Sequence, residues 1–159
     1  MDRKLPALLL LAAAAGGWIL LWPVTAIQFE NDDRGTAAWY RVKTGESFSV
    51  TYIHSIYRQP VTEEFLVGPG GDLVLTGVRS ESGAVLEYFG FSDSRPYHPM
   101  NRPMRAIVFR VAVDGAQVLE IHGRRIPFSD LGGPGDRITL RLEKASLAVR
   151  WIGRAVKGS

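Results

Sequence analysis

Two hydrophobic periods divide this chain. From Leu5 to Val24 no residue is charged, and the run LPALLLLAAAAGGWILLWPV (residues 5–24) is apolar all round. At a rise of about 1.5 Å per residue, a helix of that length is about 30 Å long and matches the hydrocarbon core of a bilayer. Arg3 and Lys4 precede the run, and Glu30, Asp32 and Asp33 are the first charges after it. The positive-inside bias then keeps the N-terminus in the cytoplasm and exports the rest. The pattern predicts two parts, a membrane anchor or signal segment over 1–26 and an extracytoplasmic domain over 27–159.

Small residues at Val24, Thr25 and Ala26 offer a cleavage point after Ala26. The apolar run is longer than the about 7 to 15 residues of a signal h-region, and Trp18 and Trp22 suit an interfacial aromatic belt. Both features favour a retained single-pass anchor in the inner membrane, with the domain on the periplasmic side.

Beyond the run the period becomes two. Phe48, Val50, Tyr52 and His54 alternate with Ser47, Ser49, Thr51 and Ser55, as a half-buried strand requires. Residues 38–42, 63–67 and 73–79 are short and β-rich, with Gly and Pro breakers between them. Ile107, Phe109, Val111 and Val113 alternate up to Asp114-Gly115, and Val118, Leu119 and Ile121 resume after it. An Asp-Gly at that place predicts a tight hairpin. Residues 124–128 and 138–142 add strands, and Leu147, Val149 and Trp151 a last one. Residues 90–103 hold Pro96, Pro99 and Pro103, which argues against a regular ladder and for a loop folded back through Phe91 and Tyr97. With no helical period after residue 26, the prediction is all-β: an antiparallel β-sandwich or flattened barrel of about 8–10 strands behind one N-terminal hydrophobic helix.

Charge and composition narrow the partners. Nineteen basic against sixteen acidic side chains give a net charge of only +3, without a polybasic run, so nucleic acid is not expected as a partner. The absence of cysteine excludes disulfides, thiolate metal sites, a cysteine nucleophile and lipoprotein-type lipidation. The exported domain must hold together by core packing alone.

The densest polar stretch is YIHSIYRQPVTEEF, residues 52–65. A His and a Ser close one strand and two carboxylates open the next, which are the ingredients of acid–base or nucleophilic chemistry. Adjacent strand residues point to opposite faces, however, so His54 and Ser55 diverge, and the chain has no G-x-S-x-G elbow. His54 continues the Phe48/Val50/Tyr52 face and reads as a hydrogen-bonded histidine closing the core. His54, His98 and His122 with Met100 and Met104 are soft or borderline ligands, yet their spacing is not that of a metal site. No metal and no cofactor are assigned. The scattered arginines suit solvated strand faces, with Arg58 among those able to grip an acidic ligand or surface.

The same stretch, followed by Leu73-Val74-Leu75 and Ser82-Gly83-Ala84, resembles a bacterial domain-of-unknown-function family often encoded beside TAXI-type TRAP transporters, the tripartite ATP-independent periplasmic carriers of organic anions. The resemblance runs over residues 45–149. It implies a TRAP-transporter context, and together with the single span and the lack of a catalytic constellation the expectation is an extracytoplasmic accessory protein that docks on the TRAP permease or its solute-binding protein and is not an enzyme. Taken with the polar cluster, the candidate ligand- or partner-binding residues are His54, Ser55, Arg58, Pro60, Glu63, Glu64 and Gly83. The alternative is a stand-alone envelope module that binds a small acidic ligand or a metal through the His54 cluster.

Overall fold

The computed structural model describes residues 23–146, together with Gly17. Ten strands follow in order: β1 Pro23–Asn31, β2 Thr36–Arg41, β3 Ser47–Ile53, β4 Pro60–Val67, β5 Leu73–Arg79, β6 Tyr97–Met104, β7 Ala106–Arg110, β8 Val118–Ile121, β9 Arg124–Pro127 and β10 Arg137–Ser146. They form two antiparallel sheets, one of four strands in the order β2-β1-β10-β7 and one of six in the order β6-β5-β4-β3-β8-β9. Ile27, Phe29, Ile138 and Leu140 of the first sheet share one core with Phe48, Val50, Val61 and Phe65 of the second. Tyr52 meets Phe109 across the gap at 6.5 Å between ring centroids. The chain is all-β and sandwich-like, as the alternation predicts.

The expected span at 5–24 lies outside the described residues except for Gly17, Pro23 and Val24, of which the last two already belong to β1. Among the described residues no helix is long and apolar enough to cross a membrane. The boundary drawn after Ala26 falls within β1, whose Ala26 pairs with Arg41 on one side and Glu143 on the other. The strand expected from Leu147, Val149 and Trp151 also lies outside the described residues.

Three expectations change. The Asp114-Gly115 turn forms, with Gly115 at φ 66°, but it closes no hairpin. β7 pairs with β10 and β8 with β3 and β9, so the turn carries the chain from one sheet to the other. Local turn chemistry sets the bend, and the core decides which strands pair. The prolyl segment is not a loop throughout, because residues 97–104 form β6, at the edge of the larger sheet. An edge strand needs a ladder on one side only and tolerates Pro99 and Pro103. Phe91 folds back as expected and stacks on His98 at 3.9 Å.

The third change is a short helix, α1 Gly83–Tyr88, in a stretch read as having no helical period. Ser82 caps it, its Oγ accepting the Val85 amide hydrogen, while Val85 and Leu86 are buried. A helix of six residues is too short to show a period, but long enough to carry Tyr88 across the end of the sandwich.

The two ends of the sandwich are distinct. Pro23 pairs with Ser146, the Val42 amide donates to the Thr25 carbonyl, and the Gly45 amide to the Val67 carbonyl. These contacts gather the start of β1, the end of β10 and the turns at 42–46 and 68–72 at one end, called the entry end here. β1 and β3 both run away from it. The turns at 32–35 and 54–59, helix α1 and the crossing at 111–117 lie at the far end.

Candidate functional site

The far end is organised around His54, the first residue after β3. It lies on the core face and is 5% exposed. Its backbone closes the turn, with the His54 amide donating to the Gln59 carbonyl and the Arg58 amide to the His54 carbonyl, each at 2.8 Å. Its ring closes the turn a second time. Nδ1 accepts the amide hydrogens of Ile56 at 3.3 Å and Tyr57 at 3.4 Å. A neutral His54 therefore carries its proton on Nε2.

That use of Nδ1 fixes what the turn displays. With their amides held inward, Ile56 and Tyr57 stand 65% and 40% exposed. The Tyr57 ring lies 5.2 Å from the His54 ring, and Tyr88 from α1 meets the same ring edge-on at 4.7 Å while remaining 61% exposed. Arg58 sits at φ 55°, a left-handed conformation that costs a non-glycine residue roughly 1 kcal/mol. From there its guanidinium reaches Asp114 at 3.8 Å, beside Val113, which is 87% exposed. Scattered single apolar residues need no explanation, but exposed Tyr57 and Tyr88 both pack on the buried histidine, with exposed Ile56 in the same turn.

The other residues singled out by sequence take different positions. Ser55 is exposed on the turn. Pro60 opens β4, and its carbonyl accepts the Ser80 hydroxyl at 2.8 Å, tying the turn to the segment that leads into α1. Gly83 is the first residue of that helix. Glu63 shares the inward face with Val61 and Phe65 and accepts the Tyr52 hydroxyl at 2.9 Å. Burial raises the Glu63 carboxyl above its ordinary range, against a smaller lowering by the Tyr52 hydrogen bond. Burial and the Glu63 charge push the Tyr52 phenol well up. Glu64 points the other way and pairs with Arg79 at 3.6 Å. The turn thus gathers His54, Ser55, Arg58 and Pro60, and brings Gly83 close through its helix, but it sets the two glutamates on opposite faces. His54 takes its hydrogen bonds from backbone amides and not from either carboxylate.

Sequence reasoning did not select Ile56, Tyr57 and Tyr88. Tyr57 and Ile56 stand in the motif itself, whereas Tyr88 reaches His54 only because α1 folds over the end. Among the described residues no three His, Asp or Glu side chains converge to hold a metal ion. His98 is buried against Phe91 and faces Asp93 at 3.4 Å. The forked contact of Arg95 lowers the Asp93 carboxyl to about 2. His122 pairs with Glu46 at the entry end. Comparison of this chain with protein-family models, with curated proteins and with solved structures finds no match.

Proposed function

We propose that this chain is a non-catalytic accessory protein of a TRAP-type organic-anion transporter, anchored in the inner membrane by residues 5–24. Its extracytoplasmic sandwich docks on the permease or the solute-binding protein. The observation that carries this reading is the exposed group of Ile56, Tyr57 and Tyr88 held around His54 at the end opposite the start of β1. A domain tethered at its entry end offers that group to a partner standing away from the bilayer. The resemblance of the motif at 52–65 supplies the class of partner.

A non-catalytic role agrees with the histidine's geometry. The one lone pair of a neutral His54 ring is already taken by two amides, so it has none free to accept a proton from Ser55. The small-ligand alternative has less behind it. Arg58 and Arg79 already face Asp114 and Glu64, and inward Glu63 offers an acidic ligand no attraction. Affinity purification of the full chain from detergent-extracted membranes tests the proposal. Recovery of a TRAP permease or its solute-binding protein supports it, and recovery of neither counts against it.

A further inference from the structure

The entry end carries a charge pattern that docking at the far end leaves unused. At the far end four arginines face acids, Arg34 to Asp136, Arg58 to Asp114, Arg79 to Glu64 and Arg95 to Asp93, while Arg110 donates to the Gly135 carbonyl and Arg137 has no ion pair among the described residues. At the entry end Arg41, Lys43, Arg124 and Lys144 are all exposed, and none has an ion-pair partner among the described residues. Of the acids near them, Glu46 is held by His122 at 2.9 Å and Glu143 faces Arg141, which Glu30 shares, while Asp72 and Glu120, the latter opposite the exposed Arg125, have no ion pair among the described residues. Lys43 and Lys144 are moreover the only lysines among the described residues.

Their placement gives the pattern a direction. The apolar run reaches Val24, while β1 begins at Pro23, so no linker separates an anchored run from the first strand. Ala26, which is 3% exposed, is already paired on both sides. The turn of Lys43 is bonded to Thr25 through Val42, and Lys144 pairs with Thr25 itself. Arg124 follows the β8–β9 turn, whose Ile121 pairs with Phe48 near the start of β3.

We infer that the entry end is a lipid-facing surface on which Arg41, Lys43, Arg124 and Lys144 bind anionic phospholipid headgroups, seating the sandwich on the outer face of the membrane that anchors it. This rests on the anchor reading of residues 5–24. Screening confines such attraction to about 8 Å at physiological salt, so it requires a domain seated directly on the bilayer, as the absent linker provides.

The lack of cysteine makes the test clean. The full chain is labelled with an uncharged environment-sensitive fluorophore at Thr44→Cys, or at Ser55→Cys as the far-end control, and reconstituted in nanodiscs. The discs contain phosphatidylcholine, with or without phosphatidylglycerol. Emission at position 44 is expected to rise about twofold in the anionic discs, to fall back in high salt and to be cancelled by Lys43→Glu with Lys144→Glu, while position 55 stays unchanged. Equal emission at position 44 in both lipids overturns the inference and leaves the anchor standing, as does a rise that survives the double charge reversal. Failure of the chain to remain in the discs overturns the anchor and the inference together.

Discussion

Two polar clusters close the far end of the sandwich, and they do so in opposite ways. Asn31, 1% exposed, is bonded on every side. Its amide donates to the Leu131 carbonyl and Asp136, and its oxygen accepts the Asp33 and Arg34 amides. Gly132 is needed there, since a Cβ would stand 2.5 Å from the Asn31 amide nitrogen. His54 is nearly as buried, yet it spends its hydrogen bonds on a turn whose side chains face outward. The first cluster turns polarity inward to fasten loops. The second uses it to hold apolar side chains in water, a cost without return unless something covers them.

The largest effect expected is on the fastening cluster. Asn31→Ala removes the acceptor of the Asp33 amide and the donor to the Leu131 carbonyl and Asp136, and should cost about 3 kcal/mol, lowering the melting temperature by about 10 °C. Association of the folded protein below that temperature should be unchanged. Loss of association without loss of stability would erase the distinction between the clusters.

His54→Ala comes next. It leaves the Ile56 and Tyr57 amides without their acceptor and removes the ring between Tyr57 and Tyr88, so about 1 to 3 kcal/mol should be lost, a fall of several degrees. Unlike Asn31→Ala, it should also abolish copurification of the partner. A variant that melts like wild type would show that the ring does not hold the turn.

Arg58→Gly sharpens the comparison from the other side. Relief of the left-handed strain should raise stability by up to about 1 kcal/mol, while removal of the guanidinium opposite Asp114 weakens association. A variant stabilised with association intact would leave Arg58 without a role in docking.

Glu63 supplies a dependence on pH. Its carboxyl is raised in the folded state, so the folded protein holds the extra proton between the ordinary carboxylate range and the raised value. Stability from this group is therefore full in acid, falls as pH rises through that window and stays low above it. Glu63→Gln, which keeps an acceptor for the Tyr52 hydroxyl, should be more stable than wild type near neutral pH and lose that advantage in acid. Chemical denaturation at several pH values reads it, and an advantage that grows in acid would contradict the assignment.

Much of this fold is legible in the sequence, for identifiable reasons. β3, β4 and β5 are half-buried strands between Gly and Pro breakers, so period two exposes them. β1 is hidden because its first residues continue the apolar run, and β6 because its prolines speak against a ladder that an edge strand can do without. The bend at Asp114-Gly115 is local and readable, but the partners of β7 and β8 are long-range and are not. The site divides in the same way. The core-facing position of His54 and the divergence of Ser55 follow from alternation, whereas the use of Nδ1 by two amides and the arrival of Tyr88 on α1 depend on a turn and a helix too short to leave a period.

The smallest effect on stability belongs to the substitution that bears most directly on the central claim, that the His54 turn exists to display a docking patch. Tyr57→Ser combined with Tyr88→Ser changes two exposed side chains and should alter stability by no more than about 1 kcal/mol. The measurement is copurification from membranes carrying wild type or the double variant, with melting curves on the same preparations. The account predicts that wild type recovers the permease or solute-binding protein, and that the double variant melts almost as wild type yet recovers neither. Equal recovery of the partner by both proteins would contradict it.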